Sequence, residues 1–84
     1  MSDLSSLRNI GTEIEKKLIT AGITTAKELK EIGSIEAYIR VKAYYPNICL
    51  VHLYVLEGAI IDEDYNRLPE DVKRNLKDFH DTFR

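Results

Sequence analysis

The residues with chemistry to offer gather first between Arg8 and Lys17. Arg8, Asn9, Gly11, Thr12, Lys16 and Lys17 all stand in the string LRNIGTEIEKKL. A glycine turn ahead of a helix exposes backbone N–H groups, which together with the helix dipole favour an anion such as a phosphate. Arg8, Asn9, Lys16 and Lys17 would add direct contacts. Glu13 and Glu15 oppose this, because they put negative charge in the first turn of the same helix. The turn therefore reads first as a packing corner, with phosphate or DNA contact as the alternative.

Glu57 is the second residue of interest, a carboxylate inside the apolar run ICLVHLYVLEGAII from Ile48 to Ile61. It could act as an acid or base, but no second catalytic group stands at a telling spacing. A partner is the simpler need, and Arg40 or Lys42 or a neighbouring helix end could provide one. Gly58 beside it costs a helix about 1 kcal/mol relative to alanine, which a close helix crossing would explain. Cys49 and His52 share one helix face, but a metal site needs three or four ligands and His80 is the only other histidine. Asp62-x-Asp64-x-Asn66 opens like a calcium loop and then fails, with Arg67 at the glycine position and Lys73 at the closing glutamate. Tyr38, Tyr44, Tyr45, Tyr54 and Tyr65 are spread over several elements, as core or interface tyrosines are. No nucleophile–base pair or glycine-rich phosphate loop is found. No catalytic residue, metal or cofactor is assigned, and an enzyme is the least supported class.

The elements that must position these residues all read as helical. Leu4, Leu7 and Ile10 approach at helical spacing, Gly11 interrupts, and Ile14, Leu18 and Ile19 resume the pattern up to Gly22. Thr25 with Glu28 makes a capping box for a short helix from Ala26 to Ile32, ended by Gly33. Ser34 can cap a third helix that carries Ile35, Tyr38, Val41 and Tyr45 towards a core, and Pro46 stops it. Asn47 is the expected cap of the Ile48–Ile61 helix. That helix is apolar all round and so expected to be enclosed by its neighbours. Pro69 fits a first helical position, and Val72, Leu76, Phe79 and Phe83 give the last helix a single stripe. Nothing alternates like a strand.

The string Leu7-x-x-Ile10-Gly11-Thr12 recurs as Leu29-x-x-Ile32-Gly33-Ser34, so the chain reads as two related hairpins packed on a central helix. The first copy resembles the helix-hairpin-helix module. The expected fold is all-α: a five-helix domain with paired helix-hairpin-helix-like, SAM-like hairpins around a buried central helix.

The 84 residues suffice for one domain, expected to span residues 1–84, in which nearly every apolar side chain must join one core. Residues 1–45 carry seven Lys/Arg against six Asp/Glu and residues 46–84 five against eight, so an anion-binding surface is expected in the first half. The net charge of −2 is poorly suited to counterion-release binding of nucleic acid. A single cysteine and an N-terminus without a signal-peptide pattern lead to a cytoplasmic expectation. The longest apolar run is too short for a membrane span.

The succession LRNIG, AGITTAKEL, IGSIEAYIRVK, HLYVLEGAI and RLPEDVKRNL resembles the C-terminal domain of the TfoX (Sxy) family of competence regulators, from about Leu4 to Leu76. The most specific letters are LEGA at Leu56, Glu57, Gly58 and Ala59 with Tyr54 before them, Ala37-Tyr38 with Lys42, and Leu68-Pro69. Family members commonly have an aromatic, often tryptophan, ahead of the Leu-Pro pair, and Tyr65 stands there in this sequence. Many also carry a separate N-terminal domain, which is not expected here. The resemblance implies a non-enzymatic role in transcriptional control of competence (DNA uptake), exerted on a protein of the transcription or regulatory machinery. DNA and a second copy of the chain are the alternative partners.

Overall fold

A computed structural model describes residues 3–83, so the ends of the expected domain, residues 1, 2 and 84, lie outside the described residues. A 3-10 turn at Leu4–Ser6 leads to α1 (Thr12–Thr20), α2 (Ala26–Tyr44) and α3 (Leu50–Ile61). A second 3-10 turn at Tyr65–Arg67 precedes α4 (Glu70–Thr82). No strand occurs among the described residues. The Cα radius of gyration is 11.6 Å, close to the roughly 12 Å expected for a compact chain of this length.

Among the described residues four α-helical segments are present rather than five. The segments expected as separate helices on either side of Gly33 run on as α2, but Gly33 itself is non-helical at φ 84° and ψ 166°, so the break expected there is present as a kink. Nor is there a helix from Leu4 to Ile10: after the short 3-10 turn the chain passes through Asn9 in a left-handed conformation, φ 72°. The repeated letters thus do not repeat a geometry. In the second copy the glycine takes the positive φ, whereas Gly11 in the first is extended at φ −96° and Asn9 makes the left-handed turn. Asparagine tolerates that region because its short polar side chain can bond locally.

Several helix ends follow from local chemistry. Gly22 ends α1 in a Schellman motif: its N–H donates to the Ile19 carbonyl, and the Ile23 N–H reaches Leu18, both at 2.9 Å. Ile23 then buries completely. At the start of α2 the Glu28 N–H donates to Thr25 Oγ1 at 3.1 Å, and the Glu28 carboxylate accepts from Thr24 N–H at 3.0 Å. Asp3 adds a strap, accepting the Ala26 N–H at 2.8 Å. The cap of α3 is Cys49 rather than Asn47, with His52 Nδ1 accepting from the Cys49 N–H at 3.3 Å. Pro69 stands at the N-cap of α4, one position before the one expected.

The core sits where α2 and α3 run back along each other. Tyr38 and Leu53 are fully buried there, with Ala37, Val41, Leu56 and Ala59 around them. Phe79 and Phe83 stack on each other at 5.3 Å, and both meet the Tyr38 ring edge-on. Lys42 Nζ donates to the Pro46 and Ile48 carbonyls at 3.0 and 3.2 Å, fastening the α2–α3 loop. Burial, with a contribution from nearby Cys49, raises the Tyr38 phenol above its ordinary pKa.

The central helix is enclosed through its middle turns, as its all-round apolar pattern implies, and opens at its two ends. Leu53, Val55, Leu56, Gly58 and Ala59 are buried, but Val51 is 49% and Ile61 44% exposed. Ile35, expected in the core, is also exposed. α2 and α4 both pack along α3, and Ile14 and Leu18 of α1 share a small hollow with its His52 and Leu56.

Candidate functional site

The Arg8–Lys17 turn packs on the far end of α3 instead of standing clear of the body. Arg8 Nε donates to Asp62 Oδ1 at 3.3 Å, and Asn9 Nδ2 donates to the Glu63 carbonyl at 2.9 Å. Both partners belong to the acidic stretch that leaves α3. Asp62 itself closes that helix in a left-handed conformation, φ 59°. Gly58 makes the approach possible. A Cβ there would collide with Asn9 Nδ2 and the Glu63 carbonyl, so the close neighbour is this loop and not a crossing helix.

The remaining members of the turn divide. Gly11 caps α1 without a side-chain hydrogen bond, Thr12 begins the helix, and Glu13 and Glu15 occupy its first turn. Lys16 is exposed. Lys17 points elsewhere: its Nζ lies 5.6 Å from the centre of the Tyr45 ring, whose hydroxyl donates to Thr20 Oγ1 at 3.3 Å. Lys17 also lines an open hollow of about 330 Å³ with Tyr44, Tyr45, Asn47 and His52. Burial and the neighbouring Lys17 charge hold His52 below its ordinary pKa, against a smaller opposing contribution from the Cys49 backbone. The cations of the turn are thus dispersed between an acidic loop, an aromatic ring and solvent.

The signature residues on α3 have structural partners. Glu57 Oε1 accepts from Ser34 Oγ at 2.7 Å, just after the kink in α2. The expected partners are engaged elsewhere, Arg40 with Glu36 at 3.0 Å and Lys42 with the loop carbonyls. Leu56 and Ala59 are core, Gly58 admits the loop, and Tyr54 is half-buried beside α4. The pairing of Ser34 with Glu57 was not legible from spacing, since the two lie 23 residues apart. Cys49 and His52 serve as a cap, and among the described residues no group of three metal-binding side chains forms.

A second surface was not singled out by sequence patterning. Between α3 and α4 lies an open groove of about 270 Å³ lined by Tyr54, Glu70, Lys73, Arg74 and Lys77. Lys77 Nζ donates to Asp81 at 3.1 Å, an exposed pair that raises the lysine pKa and lowers the carboxylate's. Lys73 and Arg74 form no ion pair among the described residues. The available signal was the spacing of the three cations along one helical face.

The fold and its surfaces define a class: a small, all-helical domain whose buried polar residues hold structure and whose charges lie on open faces. The family is more specific. The chain matches the TfoX C-terminal domain over residues 1–80, and it belongs to that family. It is also similar to two crystal structures from Listeria monocytogenes. One, an uncharacterized protein in a triclinic form, is 44% identical with a TM-score of 0.92, over 94% of this chain and 90% of that one. The other, a protein of unknown function in a tetragonal form, is 43% identical with a TM-score of 0.93, over 96% and 99%. No curated protein matches the chain. Among the described residues, no helix is long and apolar enough to cross a membrane.

Proposed function

We propose that the chain is a non-enzymatic regulatory domain in transcriptional control of competence, acting through contacts with a protein partner. The observation that carries this reading is membership of the TfoX C-terminal domain family over residues 1–80. It is supported by the fate of the Arg8–Lys17 turn, where Arg8 and Asn9 are already bonded to the acidic loop at Asp62 and Glu63. Purification of the tagged chain from its native cells tests it. A specific protein should accompany the chain after nuclease treatment; recovery of nucleic acid alone would reject the proposal.

A second reading, DNA contact through the same turn, is favoured by one feature: the N-terminus of α1 has no side-chain cap, and Lys16 is exposed close to it. It predicts that the chain is retained on duplex DNA at physiological salt and that Lys16→Glu with Lys17→Glu abolishes retention. If the unmodified chain is not retained, the reading fails.

A further inference from the structure

The groove between α3 and α4 joins two unlike walls. Lys73, Arg74 and Lys77 project from one side of α4, while Asp71 and Asp78, seven residues apart, share another side with Asn75. Asp71 and Asp78 thus lie away from the cations, while Glu70 and Asp81 share the cations' side. Glu70 stands at the rim, near the N-terminus of α4, where the dipole favours a carboxylate. Asp81 balances Lys77, which leaves Lys73 and Arg74 as cations without an ionic partner among the described residues.

The opposite wall is apolar. Tyr54 lines the groove, and Leu50 and Val51, one helical turn before it, continue the same face of α3. Val51 is 49% exposed. We propose that this groove docks an acidic, amphipathic helical segment of a partner protein, an inference that rests on the protein-contact reading above. The apolar side of such a segment covers Leu50, Val51 and Tyr54, and its carboxylates meet Lys73 and Arg74. Charge complementarity selects the occupant. A nucleic-acid backbone would satisfy the cations but leave the apolar wall uncovered.

The test is an amide-resolved NMR titration with a synthetic helical peptide carrying leucines at i, i+3 and i+7 flanked by glutamates. Shifts confined to Leu50, Val51, Tyr54, Lys73, Arg74 and Lys77 are expected. Lys73→Glu with Arg74→Glu should weaken binding at least ~tenfold, and Lys73→Gln with Arg74→Gln by less, as should added salt. No binding, shifts centred elsewhere, the same shifts with a short DNA duplex, or self-association through this face would each overturn the proposal. Capture from native cells separates the two levels. A partner held equally by the Lys73→Glu, Arg74→Glu chain overturns the groove and leaves the functional reading standing, whereas capture of no protein by either chain overturns both.

Discussion

The Arg8–Lys17 turn and the α3–α4 groove are both places where cations meet the surface of the same helix, and they use them oppositely. In the turn, Arg8 is spent on Asp62, Asn9 on Glu63 and Lys17 on the Tyr45 ring, so the segment is fastened to the body. In the groove, Lys73 and Arg74 are fastened to nothing among the described residues. The sequence pattern of an anion site marks the first region, where Lys16 alone of the three cations is left to solvent. Two adjacent cations without an ionic partner among the described residues stand in the second. A motif defines which backbone shape is available; the neighbours define whether its charge is free.

The sharpest way to break this comparison is at Gly58. Gly58→Ala should destabilise the fold by about 1–3 kcal/mol in urea unfolding, because the backbone carbonyl of Glu63 cannot retreat easily. Gly11→Ala, which points into open space at a negative φ and loses only the glycine preference of an N-cap, should cost no more than about 1 kcal/mol. Equal costs would mean that the turn is not seated on α3 as described. Next in size, Asn9→Ala loses the bond to Glu63 and puts alanine at a left-handed φ, for about 1–2 kcal/mol. Asn9→Gly should recover part of that loss.

Smaller effects sharpen the electrostatic side. Arg8→Ala should cost no more than about 1 kcal/mol, since its pair with Asp62 is largely solvent-exposed, and the cost should shrink with salt. Lys73→Glu with Arg74→Glu should leave stability within about 0.5 kcal/mol while removing peptide binding. A loss well above that would make the groove a structural feature and dissolve the contrast. The smallest expected effect is a pH dependence at His52. Its folded pKa lies below the ordinary 6.5, so its contribution is complete above that value and is lost as pH falls through the lower folded one. Thermal unfolding should therefore move to lower temperature on mild acidification, less so for His52→Gln.

Much of the architecture was legible because it depends on neighbours in sequence. Gly22 and the Thr25–Glu28 pair cap their helices as their types require, and Val72, Leu76, Phe79 and Phe83 turn one stripe inward. The family letters were legible too, and the structure explains their character: Tyr38, Leu56 and Ala59 are core, Lys42 ties a loop, and Gly58 admits one. What misled were patterns whose outcome depends on distant residues. The repeat at Gly11 and Gly33 matched in letters and diverged in φ, because Asn9 could bond Glu63 across 54 positions and take the left-handed turn itself. The Ile48–Ile61 run, apolar all round, is enclosed through its middle as that pattern implies, while Val51 and Ile61 near its ends stay about half exposed.

Helical class, most caps, the inward stripes and the family were thus determined by the sequence itself, since capping and periodicity act over a few residues. Only the tertiary structure decided that Glu57 would rest on Ser34, that the Arg8 turn would close on the acidic loop, and that Lys73 and Arg74 would stand unpaired beside an apolar wall. Those outcomes turn on pairings between separate elements. Local spacing does not encode them, because an ion pair or hydrogen bond forms with whatever group packing brings within about 3 Å.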